Sequence, residues 1–200
     1  KFSKFLNKSQ IIIIRSSVYP GICEKTFNIL KKKNIRDIAY CPERIKQGYS
    51  IEELNQFPQI VSGFTKRAIK ESSFLFKKLV PKVIVSNVNE VELIKLFTNA
   101  WRYIQFAIAN EYFMICNNLG VNYEKIRKIM IKDYDRAKNL PSAGFAAGPC
   151  LFKDTLQLSH YYNSKFTLGN SAAKINEELP NFIVKQLLLK YDLKKMTVGI

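Results

Sequence analysis

The segment from Asn89 to Leu119 contains neither proline nor glycine and is followed directly by Gly120. This pattern predicts one continuous helix, roughly 45 Å long at about 1.5 Å per residue, with Gly120 as its C-cap. A helix of that length within 200 residues is typical of a domain spine or a subunit interface. The rest of the chain is therefore expected to be organised around it.

Residues 1–86 alternate short apolar runs with helical patterns, which indicates an α/β fold. The run from Ile11 to Ile14 is typical of a strand buried on both faces of a parallel sheet. Further strands are predicted at 37–41, 59–61 and 83–86, and helices at 22–33 and 66–79. Because ligands of such sheets lie at the carboxyl ends of the strands, Ser17 and Glu43 become candidate site residues. No GxGxxG motif occurs in the chain, so we expect the half that cradles a dinucleotide pyrophosphate to be missing.

The second half of the chain reads as helical. Helices are predicted at 123–132, with Asn122 as N-cap, at 151–161 and at 168–191, where Pro180 should kink or break the helix. A last strand is expected at the end of the chain. The predicted fold class is α/β, with a partial Rossmann-like parallel sheet followed by an all-α central domain that contains the long helix. The expected domain boundaries are 1–86, 87–192 and 193–200.

Composition narrows the functional classes. The formal net charge of +16 fits either a solvated basic surface or a nucleic-acid or anionic-membrane partner, and an anionic substrate fits both. Four cysteines without a CxxC pair and a single histidine argue against a zinc site, so no metal is expected. We find no signal peptide and no membrane-spanning run, and we expect a reduced, cytoplasmic protein.

The segment Gly144–Thr155 combines small residues with a cysteine, a lysine and an aspartate. Pro149 suits the first turn of a helix, so Cys150 would lie at a helix N-terminus, where partial positive charge favours the thiolate. Asp154 lies four residues later on the same helical face. This arrangement fits a nucleophile with a water-handling partner, although a free cysteine is more often a small buried apolar residue.

Two polar sets on the long helix have simpler interpretations. Glu92, Lys95 and Asn99 share one stripe, and by themselves they favour a solvated face with a local ion pair. Asn110 and Glu111 interrupt an apolar stretch, which favours burial with a partner in a contact that bridges two helices.

Five segments, in order along nearly the whole chain, resemble the UDP-glucose/GDP-mannose dehydrogenase family, the NAD-dependent nucleotide-sugar 6-dehydrogenases. They are Arg15–Gly21 (RSSVYPG), Cys41–Ile45 (CPERI), Val91–Asn99 (VELIKLFTN), Asn110-Glu111 and Gly148–Asp154 (GPCLFKD). The resemblance begins part-way through the family's N-terminal Rossmann domain. It ends at the first strand of its C-terminal UDP-binding domain, which we place at 193–200.

This resemblance implies a reaction and catalytic roles. The family oxidises the C6 hydroxyl of a sugar to a carboxylate in two NAD-dependent steps, and Cys150 would form the thiohemiacetal and thioester. Lys95 and Asn99 would stabilise the oxyanions. Asp154 would order or deprotonate the hydrolytic water, with Ser17 as a hydroxyl partner and Glu43 as a base or water positioner.

The resemblance also implies binding residues and partners. Ser17 and Glu43 are the candidate contacts to NAD, the expected cofactor. A homodimer through residues 89–119 is expected, with a nucleotide-sugar substrate in polysaccharide biosynthesis and neither nucleic acid nor membrane as partner. The candidate substrate contacts are Arg44, Ile45, Lys46, Gly148, Lys153, and Arg136 from a neighbouring subunit.

Departures from the family pattern refine these expectations. Ser17 stands where threonine is commoner, and the sequence Gly-Pro-Cys replaces Gly-Gly-x-Cys before the nucleophile. These differences favour an amino-sugar substrate or a less common branch of the family over UDP-glucose, and we expect the chain by itself not to turn over. Two alternatives stay open: a two-electron dehydrogenase of the 6-phosphogluconate type, which needs no cysteine, and a basic nucleic-acid-binding or structural protein.

Overall fold

The computed structural model describes residues 5–45, 48–146, 149–197 and 199. The chain forms two compact units, Lys1–Phe97 and Thr98–Ile200, and α4 contributes to both. In chain order the elements are β1 (Ile12–Ile14), α1 (Ile22–Lys31), β2 (Ile38–Tyr40), α2 (Ser50–Leu54), β3 (Gln59–Gly63), α3 (Lys66–Lys77), β4 (Val83–Val85), α4 (Val88–Asn118), α5 (Tyr123–Ile131), α6 (Pro149–Tyr161), α7 (Thr167–Lys190) and a 3₁₀ turn (Leu193–Lys195).

The first unit contains a four-stranded sheet in the order β1-β2-β3-β4. β1 pairs with β2 and β3 with β4 in parallel, whereas β2 and β3 are antiparallel. The predicted α/β class is confirmed, but the expectation of an entirely parallel sheet is wrong at this one pair. The connection from β2 to β3 contains only the five-residue α2, not the longer crossover helix that usually joins parallel neighbours.

The core of the first unit lies on β2. Ile38, Ala39 and Tyr40 are fully buried, and Ala68 and Phe76 of α3 share a core cluster with Ala39. Burying each large apolar side chain stabilises the fold by roughly 1.5–3 kcal/mol. β1, for which burial on both faces was predicted, is only half-buried because it forms an edge of the sheet described here.

Glu92 on α4 anchors the start of α1. Its carboxylate is fully buried and accepts hydrogen bonds from the backbone N–H of Gly21 at 2.6 Å and of Cys23 at 2.9 Å. Gly21 adopts a positive φ of 86°, which glycine tolerates without strain. The solvated-face interpretation is therefore wrong for Glu92, which caps a helix end whose amides would otherwise have no partner.

The second unit is helical, as predicted. Tyr103, Ala107, Leu151 and Ala172 form a shared core of α4, α6 and α7. The Asn122 side chain accepts from the Lys125 amide and caps α5, which confirms that prediction.

α7 continues through Pro180, so the helix does not break there, and the alternative that Pro180 kinks it stays a prediction. Leu179, directly before the proline, is almost fully buried. The packing of this apolar side chain offsets the backbone hydrogen bond that proline cannot donate.

The end of the chain shows a 3₁₀ turn, and the predicted terminal strand falls partly on residues outside the described ranges. Among the helices described, none has the length and apolar character needed to cross a membrane. The expected boundaries at 86/87 and 192/193 stay predictions.

Candidate active site

Cys150 lies in the first turn of α6, directly after Pro149. All four cysteines fall in the described part of the chain, where Cys150 is exposed and Cys23, Cys41 and Cys116 are buried. The predicted position of Cys150 at the N-terminus of a helix is confirmed, and its exposure is a finding of the structure.

Asp154 lies one turn after Cys150 and is fully buried. The Asn99 side-chain amide donates to its Oδ2 at 2.6 Å, and the Lys153 ammonium lies 3.2 Å from its Oδ1. Neighbours at i and i+4 on a helix lie about 5–6 Å apart at Cβ, so the thiol and the carboxylate share one face. α4 and α6 thus bring together Asn99, Cys150, Lys153 and Asp154.

Lys95 lies one helical turn before Asn99 on α4 and is half-buried. Asn99 is almost fully buried, so the solvated-face interpretation is wrong for it as well as for Glu92. Asn99 makes its contact to Asp154 within the second unit. Lys95 belongs to the first unit, and its role beside the thiol stays a prediction.

A second polar group occupies the carboxyl ends of β1 and β2 in the first unit. The Arg15 guanidinium forms an ion pair with Glu43 and donates to Gln59 Oε1 at 2.9 Å. The other Glu43 oxygen accepts from the backbone N–H of Arg44 at 2.8 Å and of Ile45 at 3.0 Å. Two guanidinium N–H groups of Arg15 and the backbone amides of Arg44 and Ile45 therefore bind the side-chain oxygens of Gln59 and Glu43. These contacts fix the orientation of the Glu43 carboxylate.

The remaining predicted site residues are distributed over both units. Ser17, Arg44 and Ile45 are half-buried in the first unit, and Lys153 is exposed in the second. Lys46 and Gly148 lie outside the described residues.

Arg136 is exposed and lines a cleft of about 340 Å³ with Trp101, Tyr112 and Met130. Cys150, Asn99 and Asp154 are not among the residues that line this cleft. Within one chain, Arg136 therefore lies beside the exposed α4 residues Trp101 and Tyr112. This position is compatible with its predicted contact to a neighbouring subunit's substrate.

The buried thiols differ from Cys150 in their chemistry. Burial raises the pKa of the Cys41 thiol to about 11, and burial together with the Glu92 carboxylate raises the pKa of Cys23 further. Both thiols are therefore protonated at neutral pH and poor nucleophiles. Within the described ranges, no group of three or more His, Cys, Asp or Glu side chains is arranged to hold a metal ion.

Comparison with known proteins decides the family. Residues 1–80 match the NAD binding domain of the UDP-glucose/GDP-mannose dehydrogenase family, and residues 89–178 match its central domain. The chain belongs to this family. The prediction from the five sequence segments is confirmed, and the two alternatives outside the family are set aside.

The names of individual relatives also specify nucleotide-sugar dehydrogenases. The chain is 28% identical to the UDP-N-acetyl-D-mannosamine dehydrogenase of Methanococcus vannielii over 97% of this chain and 44% of that protein. It is 30% identical to the UDP-glucose 6-dehydrogenase of Rickettsia prowazekii over 100% of this chain and 49% of that protein. The UDP-D-ManNAc dehydrogenase of Pyrococcus horikoshii superimposes with a TM-score of 0.85 at 26% identity, covering 94% of this chain and 46% of that structure. The chain spans about half the length of the curated relatives it matches.

NAD is the cofactor that the family's first domain binds. In this chain the backbone amides of Gly21 and Cys23 at the start of α1 donate to Glu92, so these two amides are not available to a phosphate. Ser17 and Glu43 follow β1 and β2, and their contact with the cofactor stays a prediction.

Three functional side chains escaped the sequence analysis or were misinterpreted by it. Gln59 opens β3 and is buried, with its amide N–H bonded to the Pro42 carbonyl at 3.1 Å. Glu92 and Asn176 are likewise buried and hydrogen-bonded. The available signal was the position of each polar residue inside an otherwise apolar strand or helix face, because such groups are retained only when they have partners.

Proposed function

We propose that this chain supplies the nucleophile of an NAD-dependent nucleotide-sugar 6-dehydrogenase that oxidises the C6 hydroxyl of a UDP-sugar to the uronic acid. The observation that carries the proposal is the exposed thiol of Cys150 in the first turn of α6, one turn from a buried Asp154 that Asn99 holds. Membership of the family supports a substrate from the nucleotide-sugar class.

The proposed reaction removes four electrons in two steps. The C6 alcohol first loses two electrons and two protons to become an aldehyde. The Cys150 sulfur then adds to the aldehyde carbon and gives a thiohemiacetal, whose oxidation by two further electrons leaves a thioester. Water cleaves the C–S bond, which releases the carboxylate and returns the thiol. NAD supplies the oxidising equivalents for both oxidations.

The side chains around Cys150 suit the charges that these steps create. Asn99 donates one amide N–H to Asp154, and its side chain carries a second N–H donor for an oxyanion. Lys95, one turn away on α4, would add positive charge. Asp154 would orient or deprotonate the hydrolytic water, since its carboxylate is fixed by Asn99 and Lys153.

Lys153 has a second proposed task. Its ammonium forms an ion pair with Asp154, with Nζ 3.2 Å from Oδ1. Because an ammonium has three N–H donors, Lys153 can also donate to the substrate's anionic part. Arg44 and Ile45 follow the fixed Glu43 and are proposed to line the substrate site. Ser17 and Glu43 are proposed to serve the cofactor and the water.

An N-acetylamino sugar is the proposed sugar class. The relative from Methanococcus and the aligned structure from Pyrococcus both carry names that specify UDP-N-acetylmannosamine. The departures around Ser17 and Cys150 point in the same direction.

A homodimer is proposed through the exposed side of α4. Five large apolar side chains of α4 lie within about 60° of one another at 100° per residue, and we call them the α4 stripe. The α4 stripe consists of Phe97, Trp101, Ile108, Tyr112 and Ile115. Arg136 lies in the cleft beside Trp101 and Tyr112, where a partner subunit docked on the stripe would meet it.

The test is a chimera in which this chain replaces the matching segment of the Methanococcus vannielii relative. With UDP-N-acetylmannosamine and NAD⁺, the chimera is expected to form the uronic acid with two NADH per sugar. Cys150→Ser should abolish acid formation, because a serine hydroxyl is a much weaker nucleophile than a thiolate. Robust acid formation by Cys150→Ser would refute the proposal, and UDP-glucose as a parallel substrate tests the sugar class.

A further inference from the structure

Asn110 connects the long helix to the segment that leads into Cys150. Its side chain is fully buried in α4. The side-chain oxygen accepts from the backbone N–H of Gly144 at 2.8 Å, and the side-chain NH₂ donates to Asn176 Oδ1 at 2.8 Å. The Asn110 side chain thus binds α7 through Asn176 and a non-helical segment through Gly144.

Asn176 completes this arrangement on α7. It is nearly buried, and its NH₂ donates to the Tyr103 carbonyl on α4 at 3.1 Å. Asn110 and Asn176 therefore each make two side-chain hydrogen bonds and share one of them. Such groups are costly to leave without partners in the protein interior, so the pair has a defined geometry.

The segment 140–146 needs fixed points because it has no regular secondary structure. At its start, the Arg127 guanidinium donates to the Leu140 carbonyl at 3.1 Å and the Tyr123 hydroxyl donates to the Pro141 carbonyl at 2.9 Å. The Gly144 amide is bound by Asn110 alone among the side-chain contacts described there. Cys150 lies six positions after Gly144, and a fully extended chain covers that separation in roughly 20 Å.

We infer that Asn110 is a positioning residue that sets the presentation of the Cys150 thiol by holding the Gly144 backbone. Without this bond, the remaining polar anchors described on this segment lie at Leu140, Pro141 and Ser142, whose side chain hydrogen-bonds Glu124. The inference deepens the proposed function and rests on Cys150 being the reactive group. A purely structural bridge between α4 and α7 is the rival interpretation, and it assigns all of the effect to the bond that Asn110 shares with Asn176.

Two variants separate these interpretations because they lose the same number of side-chain hydrogen bonds. Asn110→Leu loses the Asn176 bond and the Gly144 bond. Asn176→Leu loses the same Asn110 bond and the Tyr103 bond, but it leaves the Gly144 bond in place. Leucine is close to asparagine in size, so neither variant opens a large cavity.

The measurement is the alkylation rate of Cys150 by iodoacetamide in the 200-residue chain, read by peptide mass spectrometry, with hydrogen exchange of the peptide that contains Gly144. Asn110→Leu should change the Cys150 rate by about fivefold or more and accelerate exchange at Gly144, as expected for the loss of one buried hydrogen bond. Asn176→Leu should keep the Cys150 rate within about twofold of the unchanged protein. Equal effects of the two variants, or no effect of Asn110→Leu, would overturn the inference.

Two controls distinguish a local effect at Gly144 from unfolding of the whole chain: the three buried thiols and a conservative variant of Asn110. Alkylation of Cys23, Cys41 and Cys116 reports global unfolding, since all three are buried in the folded chain. Asn110→Asp keeps an oxygen acceptor for Gly144 and should restore a Cys150 rate near that of the unchanged protein. A rate for Asn110→Asp like that of Asn110→Leu contradicts the inference. Acid formation by Cys150→Ser would instead overturn the proposed function and leave these rates unaffected.

Discussion

Asp154 is a fully buried carboxylate in a chain that carries a large excess of positive charge. Its two oxygens contact the Asn99 amide and the Lys153 ammonium, so the charge is compensated on both sides. Burying an ionised group without such partners would cost several kcal/mol. The arrangement keeps a carboxylate one helical turn from Cys150, where the proposed mechanism requires a hydrolytic water to be oriented.

At the same scale, the buried Cys41 thiol makes the stability of the fold depend on pH. Burial raises its pKa from 9.0 to about 11. The folded state therefore holds the proton more tightly, and its stability is unaffected below pH 9 and falls as the pH rises towards 11, by roughly 2–3 kcal/mol. Burial raises the Cys23 pKa as well and acts in the same direction.

Urea unfolding between pH 8 and 11, followed by circular dichroism, checks this prediction. Cys41→Ala should show a shallower loss of unfolding free energy with pH than the unchanged chain, because it removes one of the two groups. Parallel pH dependences for the two proteins would contradict the assignment.

Among the elements, α7 contains a proline in the middle of a continuous helix. Pro180 donates no hydrogen bond to the preceding turn, and an interior proline costs about 3 kcal/mol relative to alanine. Pro180→Ala should therefore raise the unfolding free energy by roughly 1–3 kcal/mol and shift the thermal midpoint upward. Scanning calorimetry measures this shift, and an unchanged or lower midpoint would show that Pro180 stabilises α7 in its present surroundings.

The elements also show how far the sequence predicts the fold. α4 is predictable almost to its ends because glycine and proline are absent from it and Gly120 follows it directly. The direction of β3 relative to β2 could not be predicted from the sequence, because a short apolar run has the same pattern in a parallel and in an antiparallel strand. α2 has only five residues and is too short to show a helical period.

The candidate site was predictable where its residues are close in sequence. Cys150, Lys153 and Asp154 follow from one segment, and their placement on α6 agrees with the spacing. Glu92 could not be assigned in this way, because its partner Gly21 lies 71 residues earlier and offers a backbone amide instead of a side chain. Gln59 and Arg15 are separated by 44 residues and meet only through the sheet.

For the whole molecule, the α4 stripe predicts association. Trp101 is 61% exposed and sits at the cleft that contains Arg136. Large aromatic side chains at the centre of an interface contribute about 2–4 kcal/mol to binding. Trp101→Glu should therefore weaken the homodimer by about thirtyfold or more.

Sedimentation velocity over a range of concentrations checks this prediction. Leu189→Glu is the matched control, because Leu189 is 79% exposed on α7 and belongs neither to the α4 stripe nor to the residues that line the Arg136 cleft. Loss of the dimer in both variants, or in neither, would place the interface elsewhere.

Taken as a whole, the molecule has a sheet unit that matches the family's NAD binding domain and a helical unit that contains Cys150, the proposed nucleophile. The most direct test is rapid acid quenching of the chimera during turnover of UDP-N-acetylmannosamine, followed by mass spectrometry of the Cys150 peptide. We expect a sugar acyl group on Cys150 that forms and decays at the rate of acid production. Acid production at a normal rate with an unmodified Cys150 throughout would contradict the account.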